Sequence, residues 1–244
     1  MKAISLTVLS MVLTACSGSP RPDDAMAEDA PALQEAAHNT LTAEERDAGW
    51  RLLFDGVSLD GWRGYDSEEV EGWRAEDGTL YRFGGGGDIM TVEEFENFEL
   101  SLEWKVSPGG NSGIMYLGAT GSRYMYHSAP EYQVLDDAEH VDGADPLTSS
   151  GANYALHAAP RGVVRPAGEW NQARIVVQDR HVEHWLNGEK VVEYVLGSPE
   201  WKELVANSKF VQWPEYGQAR TGHIGLQDHG NPVWYRDIKI RVPG

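Results

Sequence analysis

Phe98-Glu99-Leu100-Ser101-Leu102-Glu103-Trp104 decides the fold. Apolar and polar residues alternate strictly through it, which is the period of a strand with one buried face. A helix would repeat its apolar positions every three or four residues instead. Further strands read from Arg174-Ile175-Val176-Val177-Gln178 and from His181-Val182-Glu183-His184-Trp185-Leu186. Asn187-Gly188 is a two-residue hairpin turn into Lys190-Val191-Val192-Glu193-Tyr194. Ile238-Lys239-Ile240-Arg241-Val242 closes the chain as a strand. One helix is expected, with Ser198 as its cap, Pro199 at its first position, and Trp201 to Ala206 following. Many short strands, 27 Gly and one short helix predict an all-β domain over residues 50–244, a β-sandwich or jelly roll. The tetraglycine Gly84 to Gly87 precedes no helix, so it is expected to be a flexible turn rather than a phosphate loop.

The start of the chain has a different character. Lys2 precedes an apolar run from Ala3 to Leu13, too short to span a bilayer. The run reads as a secretory signal ending in Leu13-Thr14-Ala15-Cys16, the pattern of a bacterial lipobox. Residues 1–16 are thus expected to be a lipoprotein signal, with Cys16 lipidated as the membrane anchor of an envelope protein. Cys16 is the only cysteine, which excludes an internal disulfide and a thiolate zinc site. Residues 17–49 hold Pro20, Pro22 and Pro31 and eight acids against two bases, and are expected to be a disordered tether. Thr42-Ala43-Glu44-Glu45 is a candidate cap for a short helix within it.

The 244-residue chain carries a net charge of −18, of which −13 belongs to residues 50–244. Such acidity excludes a nucleic-acid partner, since phosphate binding needs clustered Lys and Arg. Nine Trp and ten Tyr beside many carboxylates suit sugars, cations or core packing.

Two strands concentrate the chemistry. In Glu131-Tyr132-Gln133-Val134-Leu135-Asp136-Asp137, alternation puts Glu131 and Gln133 on one face. Asp136 and Asp137 fall at the strand end, where a bend can return one to that face. In Ile224-Gly225-Leu226-Gln227-Asp228-His229, Gln227 and His229 share a face and Asp228 takes the other. A polar cleft or a hydrogen-bonded surface ladder would both read this way. His127 and His140 flank the acidic strand, and with Glu131 and Asp136 they are candidate ligands for one divalent metal, calcium or manganese in type. No serine-nucleophile elbow is present, and no organic cofactor is expected.

Several segments together resemble the 3-keto-disaccharide hydrolase family. They are Leu53-Phe54-Asp55-Gly56, Leu59-Asp60-Gly61-Trp62, Asn111-Ser112-Gly113-Ile114, Glu131 to Asp136, Gly168-Glu169-Trp170-Asn171, Leu186-Asn187-Gly188, Ser208-Lys209-Phe210 and Gly222 to Gly230. They occur in the family's order and cover residues 50–243. Asp237 stands where the family usually has Asn. The resemblance implies a concanavalin A-like jelly roll with a ligand cleft on its concave face. It also implies cleavage of glycosides already oxidised to a ketone at sugar carbon 3. Under that implication Glu131, His229 and Asp136 are the catalytic candidates, with Glu131 or His229 as base or acid and Asp136 as metal ligand or orienter. Gln133, Gln227, Asn111, Tyr154 and Arg236 are expected to bind substrate, and Glu131, Asp136 and His140 to hold the metal. Glu131-x-Gln133-x-x-Asp136 also loosely echoes the paired-acid strand of family-16 glycoside hydrolases, with Gln133 replacing their middle acid. A non-catalytic glycan-binding module, an envelope scaffold and an ordinary glycosidase are the other classes the sequence allows.

Overall fold

The computed structural model describes residues 37–243. Cys16, the lipobox and residues 17–36 of the expected tether lie outside the described residues. In chain order the elements are α1 (Ala43–Asp47), β1 (Trp50–Leu52), β2 (Trp62–Gly64), β3 (Trp73–Glu76), β4 (Thr79–Arg82) and β5 (Ile89–Thr91). Next come β6 (Phe98–Val106), β7 (Asn111–Gly118), β8 (Glu131–Leu135), β9 (Asn171–Gln178), β10 (His181–Leu186) and β11 (Glu189–Val195). The last are α2 (Pro199–Ala206), β12 (His223–Leu226) and β13 (Val233–Arg241). Three short 3-10 helices are Met125–His127, Val141–Ala144 and Lys209–Gln212.

The strands form two antiparallel sheets. One runs β11-β10-β9-β6-β13-β4-β3, with β1 also paired to β13. The other runs β2-β5-β12-β7-β8. This is the expected jelly-roll sandwich. Strict alternation in β6 sends Phe98, Leu100, Leu102 and Trp104 inward. They meet Ile114, Tyr116, Tyr132, Val134, Ile224 and Leu226 from the five-stranded sheet in one core. The expected helix forms as α2, where Ser198 Oγ accepts from the Trp201 N–H. Asn187 and Gly188 both take positive φ, as the two-residue turn requires.

The core also holds polar ties between the sheets. His184 is fully buried, its Nδ1 is 3.0 Å from the Gly151 carbonyl oxygen, and its Nε2 is 2.7 Å from the Tyr116 hydroxyl. Burial pushes its pKa down to about 3, so the ring is neutral: Nδ1–H donates to Gly151 and Nε2 accepts from Tyr116.

Two sequence expectations change. The folded unit begins at Ala37, so residues 37–49 belong to the domain rather than to a tether. Asn39 and Asp237 join the two ends reciprocally: each backbone N–H donates to the other's side-chain oxygen. Asn39 Nδ2 also donates to the Gly78 carbonyl at 2.8 Å, and Lys239 pairs with Glu45 across the same junction. Polar pairing, not apolar burial, orders this segment, so composition alone misses it. The tetraglycine is also a packed loop rather than a loose one. Cβ atoms placed at Gly72 and Gly86 would fall 1.6 Å from the Gly85 oxygen and 1.9 Å from the Glu71 oxygen. Backbone meets backbone there, which only glycine permits.

A buried ion pair fixes the far end of that loop. Arg82 lies 2.7 Å from Asp228, with both side chains under a tenth exposed. Asp228 also accepts from the Gly87 and Gly230 N–H groups. Removing one member leaves an uncompensated buried charge, which costs about 3–5 kcal/mol. Arg82→Met is therefore expected to lower unfolding free energy by about that amount in urea titrations. A loss below about 1 kcal/mol would contradict the pairing.

Candidate active site

The site lies on the face of the five-stranded sheet turned away from the core. Register builds its floor. Met115 pairs with Glu131 and Gly113 with Gln133, while the Gln227 N–H donates to the Gly113 oxygen at 2.9 Å. Gln133 and Gln227 thus flank Gly113 on the strand lines to either side. The Glu131 carboxyl lies over Gly113 itself: a Cβ there would fall 2.3 Å from Glu131 Oε1. Glycine at 113 is what makes room for the acid.

Loops and the Lys209–Gln212 helix wall this floor into a cavity of about 330 Å³. Asn111, Glu131, Gln133, Tyr154, Gln227 and His229 line it, joined by Asp142 and Lys209. Tyr126, Phe210 and Trp213 form an apolar side. Gln133 Nε2 donates to the Thr148 carbonyl at 3.1 Å, which fixes the orientation of its amide. The side-chain oxygens of Asn111, Gln133 and Gln227 are buried without a protein partner. A buried unpaired acceptor costs about 1–3 kcal/mol. Three together on one cavity floor fit a ligand rich in hydroxyl donors.

The charges are mutually tuned. Burial pushes the Glu131 carboxyl up to about 8; Lys209 opposes that shift, while Asp88 and Asp142 add to it. Burial lowers Lys209, and Glu131 and Asp142 raise it. Its ammonium lies 4.2 Å from the centre of the Tyr154 ring. Burial, then Asp142 and Glu131, push the Tyr154 hydroxyl up to about 12. Its oxygen is 3.4 Å from Asp142 Oδ2. His229 is exposed at the cavity edge, its ring centre 6.2 Å from that of His140.

Of the expected site residues, Glu131, Gln133, Gln227, Asn111, Tyr154 and His229 come together here. Two do not. Asp136 turns into the loops, where its carboxylate accepts from the Gly109 N–H at 2.8 Å and the Ala138 N–H at 3.1 Å. It orders the strand end rather than facing the cavity. Arg236 lies on the outer face of the other sheet, because Tyr235 beside it takes the core side of β13. There it pairs with Glu103 at 2.7 Å, its guanidinium 4.0 Å from the Trp170 ring centre. The expected metal triad also fails to form. Asp136 is engaged with backbone, and His140 Nδ1 accepts from the Asp142 N–H at 3.1 Å. Glu131, Asp136 and His140 are not among the clusters of described residues whose ligand atoms converge within 4.8 Å. His127 instead lies flat on Trp213, ring centres 4.3 Å apart.

Lys209, Asp142, Tyr126, Phe210 and Trp213 are the cavity residues beyond those the sequence points to. Lys209-Phe210 stood within a family segment, and a lysine set between Ser208 and Phe210 was the available signal. Asp142 and Tyr126 sit in single-turn 3-10 helices, too short for periodicity to report direction.

A jelly-roll sandwich with a hydroxyl-accepting cavity on one sheet face defines a carbohydrate-active protein. The chain belongs to the 3-keto-alpha-glucoside-1,2-lyase-like family, whose profile matches residues 49–241. It is 38% identical over 274 aligned positions to the 3-keto-disaccharide hydrolase of Bacteroides thetaiotaomicron, covering 95% of this chain and 94% of that one. A Parabacteroides distasonis structure classed with the glycosyl hydrolases superposes with a TM-score of 0.80 at 36% identity. It covers 85% of this chain and all of the other. A second structure from that organism, classed likewise, gives 0.63 at 30% identity over 80% of this chain and 99% of its own. The protein is a glycoside-cleaving enzyme with a sugar substrate.

Proposed function

We propose that this enzyme cleaves glycosides whose sugar carries a ketone at carbon 3. The observation that carries the proposal is a buried Glu131, its pKa pushed up to about 8, sharing a hydroxyl-accepting cavity with Lys209. The chain's likeness to a 3-keto-disaccharide hydrolase supplies the substrate class.

The chemistry follows from the ketone. It acidifies the hydrogen on carbon 2, so a base can remove that proton and leave an enolate on the carbon 3 oxygen. The bond from carbon 1 to the leaving oxygen then breaks, and an acid protonates that oxygen. Water next adds at carbon 1, and a proton returns to carbon 2. Three groups are needed: a base, a cation for the enolate, and an acid.

Glu131 suits the acid, because a carboxyl with a pKa about 8 still holds its proton at neutral pH. His229, open to solvent on the cavity edge, suits the base. Lys209 suits the enolate, as a cation lining the cavity beside Glu131. The oxygens of Asn111, Gln133 and Gln227 suit the remaining hydroxyls. The lipobox at Cys16 supports placing this chemistry at a cell envelope, on a lipid anchor.

The test compares a 3-keto-glucoside with the same glucoside unoxidised, following released sugar by mass. Turnover confined to the keto compound is expected. Equal turnover of both would make the protein an ordinary glycosidase, and binding without turnover would make it a lectin-like module.

A further inference from the structure

The apolar side of the cavity has no part in the roles given to Glu131, His229 and Lys209. The cavity holds about 330 Å³, and its apolar side ends where Phe210 and Trp213 also wall a second hollow.

Trp213 is the aromatic placed at that boundary. It lines the cavity and also an adjoining hollow of about 180 Å³, whose other walls include Val205, Phe210, Val211 and Pro214. Its ring is held rather than loose. His127 stacks on it with planes 16° apart, and Tyr126 meets it edge-on, centres 5.5 Å apart and planes at 79°. Tyr124 in turn stacks on Tyr126, centres 5.3 Å apart. Four rings thus brace one another at the rim. The other aromatic walls are engaged: the Lys209 ammonium lies over Tyr154 and Phe210, and Tyr216 stacks on Phe210 at 3.9 Å.

We propose that Trp213, braced by His127 and Tyr126, is the platform for the leaving group, and that it favours leaving groups with a flat, apolar face. Aryl aglycones and the apolar face of a second pyranose share that chemistry. Stacking on a rigid indole adds attraction without a hydrogen bond that the departing oxygen would have to break. The adjoining hollow gives a bulky apolar group room beyond the ring. This inference rests on the keto-glycoside function proposed above.

The experiment measures kcat/KM for phenyl and methyl 3-keto-glucosides with wild type, Trp213→Leu and Trp213→Phe. Wild type should prefer the phenyl compound. Trp213→Leu should lose about tenfold on phenyl and little on methyl, the scale of one lost ring contact. Trp213→Phe, which keeps a ring, should restore most of the preference. Equal losses on both substrates in the Leu variant would overturn the proposal and place Trp213 against the keto sugar or in a structural role. Turnover of neither substrate by wild type would overturn the function beneath it instead, and the platform with it.

Discussion

Glu131→Gln is expected to lower kcat on a 3-keto-glucoside by about 10²–10⁴-fold, the contribution typical of a positioned general acid. Gln keeps the size and the cavity contacts but cannot release a proton to the leaving oxygen. The loss should shrink as the leaving group becomes more acidic, because a nitrophenolate departs without protonation. Wild-type activity should fall as pH rises through about 8, where the buried carboxyl loses its proton. The variant should lack that limb. Its fold should be intact, and the sign of the linkage predicts more than that. Glu131 has a folded pKa of about 8 against an ordinary 4.5. The unfolded chain gives up this proton more readily, so the residue's contribution to stability is full below pH 4.5 and is lost as pH rises toward 8. The neutral amide of the Glu131→Gln variant carries no such penalty, so the variant should be more stable than wild type at pH 8 in thermal melts. Near-normal rates in that stable protein would remove Glu131 from the chemistry.

Lys209→Met should cost about 10²–10³-fold in kcat, the usual loss when one donor to a developing oxyanion is removed. The thioether fills the lysine's space over Tyr154 and Phe210 without its charge. Substrate binding should change less, since the ketone is neutral until the proton leaves carbon 2. A second readout separates charge from packing. Lys209 holds Glu131 down against the effect of burial. Removing it should shift the alkaline limb of the pH profile upward. A large rise in KM with unchanged kcat and an unmoved limb would show that Lys209 only binds substrate.

How much of this was legible in the sequence depends on which physical signal each residue carries. Strands with one buried face announce themselves by period 2, so β6, β10 and the Asn187-Gly188 hairpin were readable, as was α2 through Ser198 and Pro199. The same alternation placed Glu131 with Gln133 and Gln227 with His229, and sent Asp228 the other way, where it meets Arg82. Asp136 departs from the pattern because the Gly109 and Ala138 N–H groups capture its carboxylate just past the end of β8. Arg236 carried no positional signal, since a charged residue on a central strand reads the same on either sheet. The order of residues 37–49 escapes composition because it comes from Asn39 and Glu45 pairing with Asp237 and Lys239 about two hundred positions away. The net acidity points toward a cation-assisted site, and Lys209 is a cationic side chain lining the cavity. Lys209 lines the same cavity as Glu131 only because the 3-10 helix Lys209–Gln212, far along the chain, walls it.

On the proposed route, bond cleavage begins with loss of the proton on carbon 2 of a 3-keto sugar. The most direct measurement runs the reaction in D2O and locates deuterium in the released sugar by mass spectrometry and NMR, against product left in the same buffer without enzyme. One deuterium at carbon 2 is expected in each sugar released, beyond the background exchange. Release of sugar with protium retained at carbon 2 would contradict it, and would point to direct displacement at carbon 1.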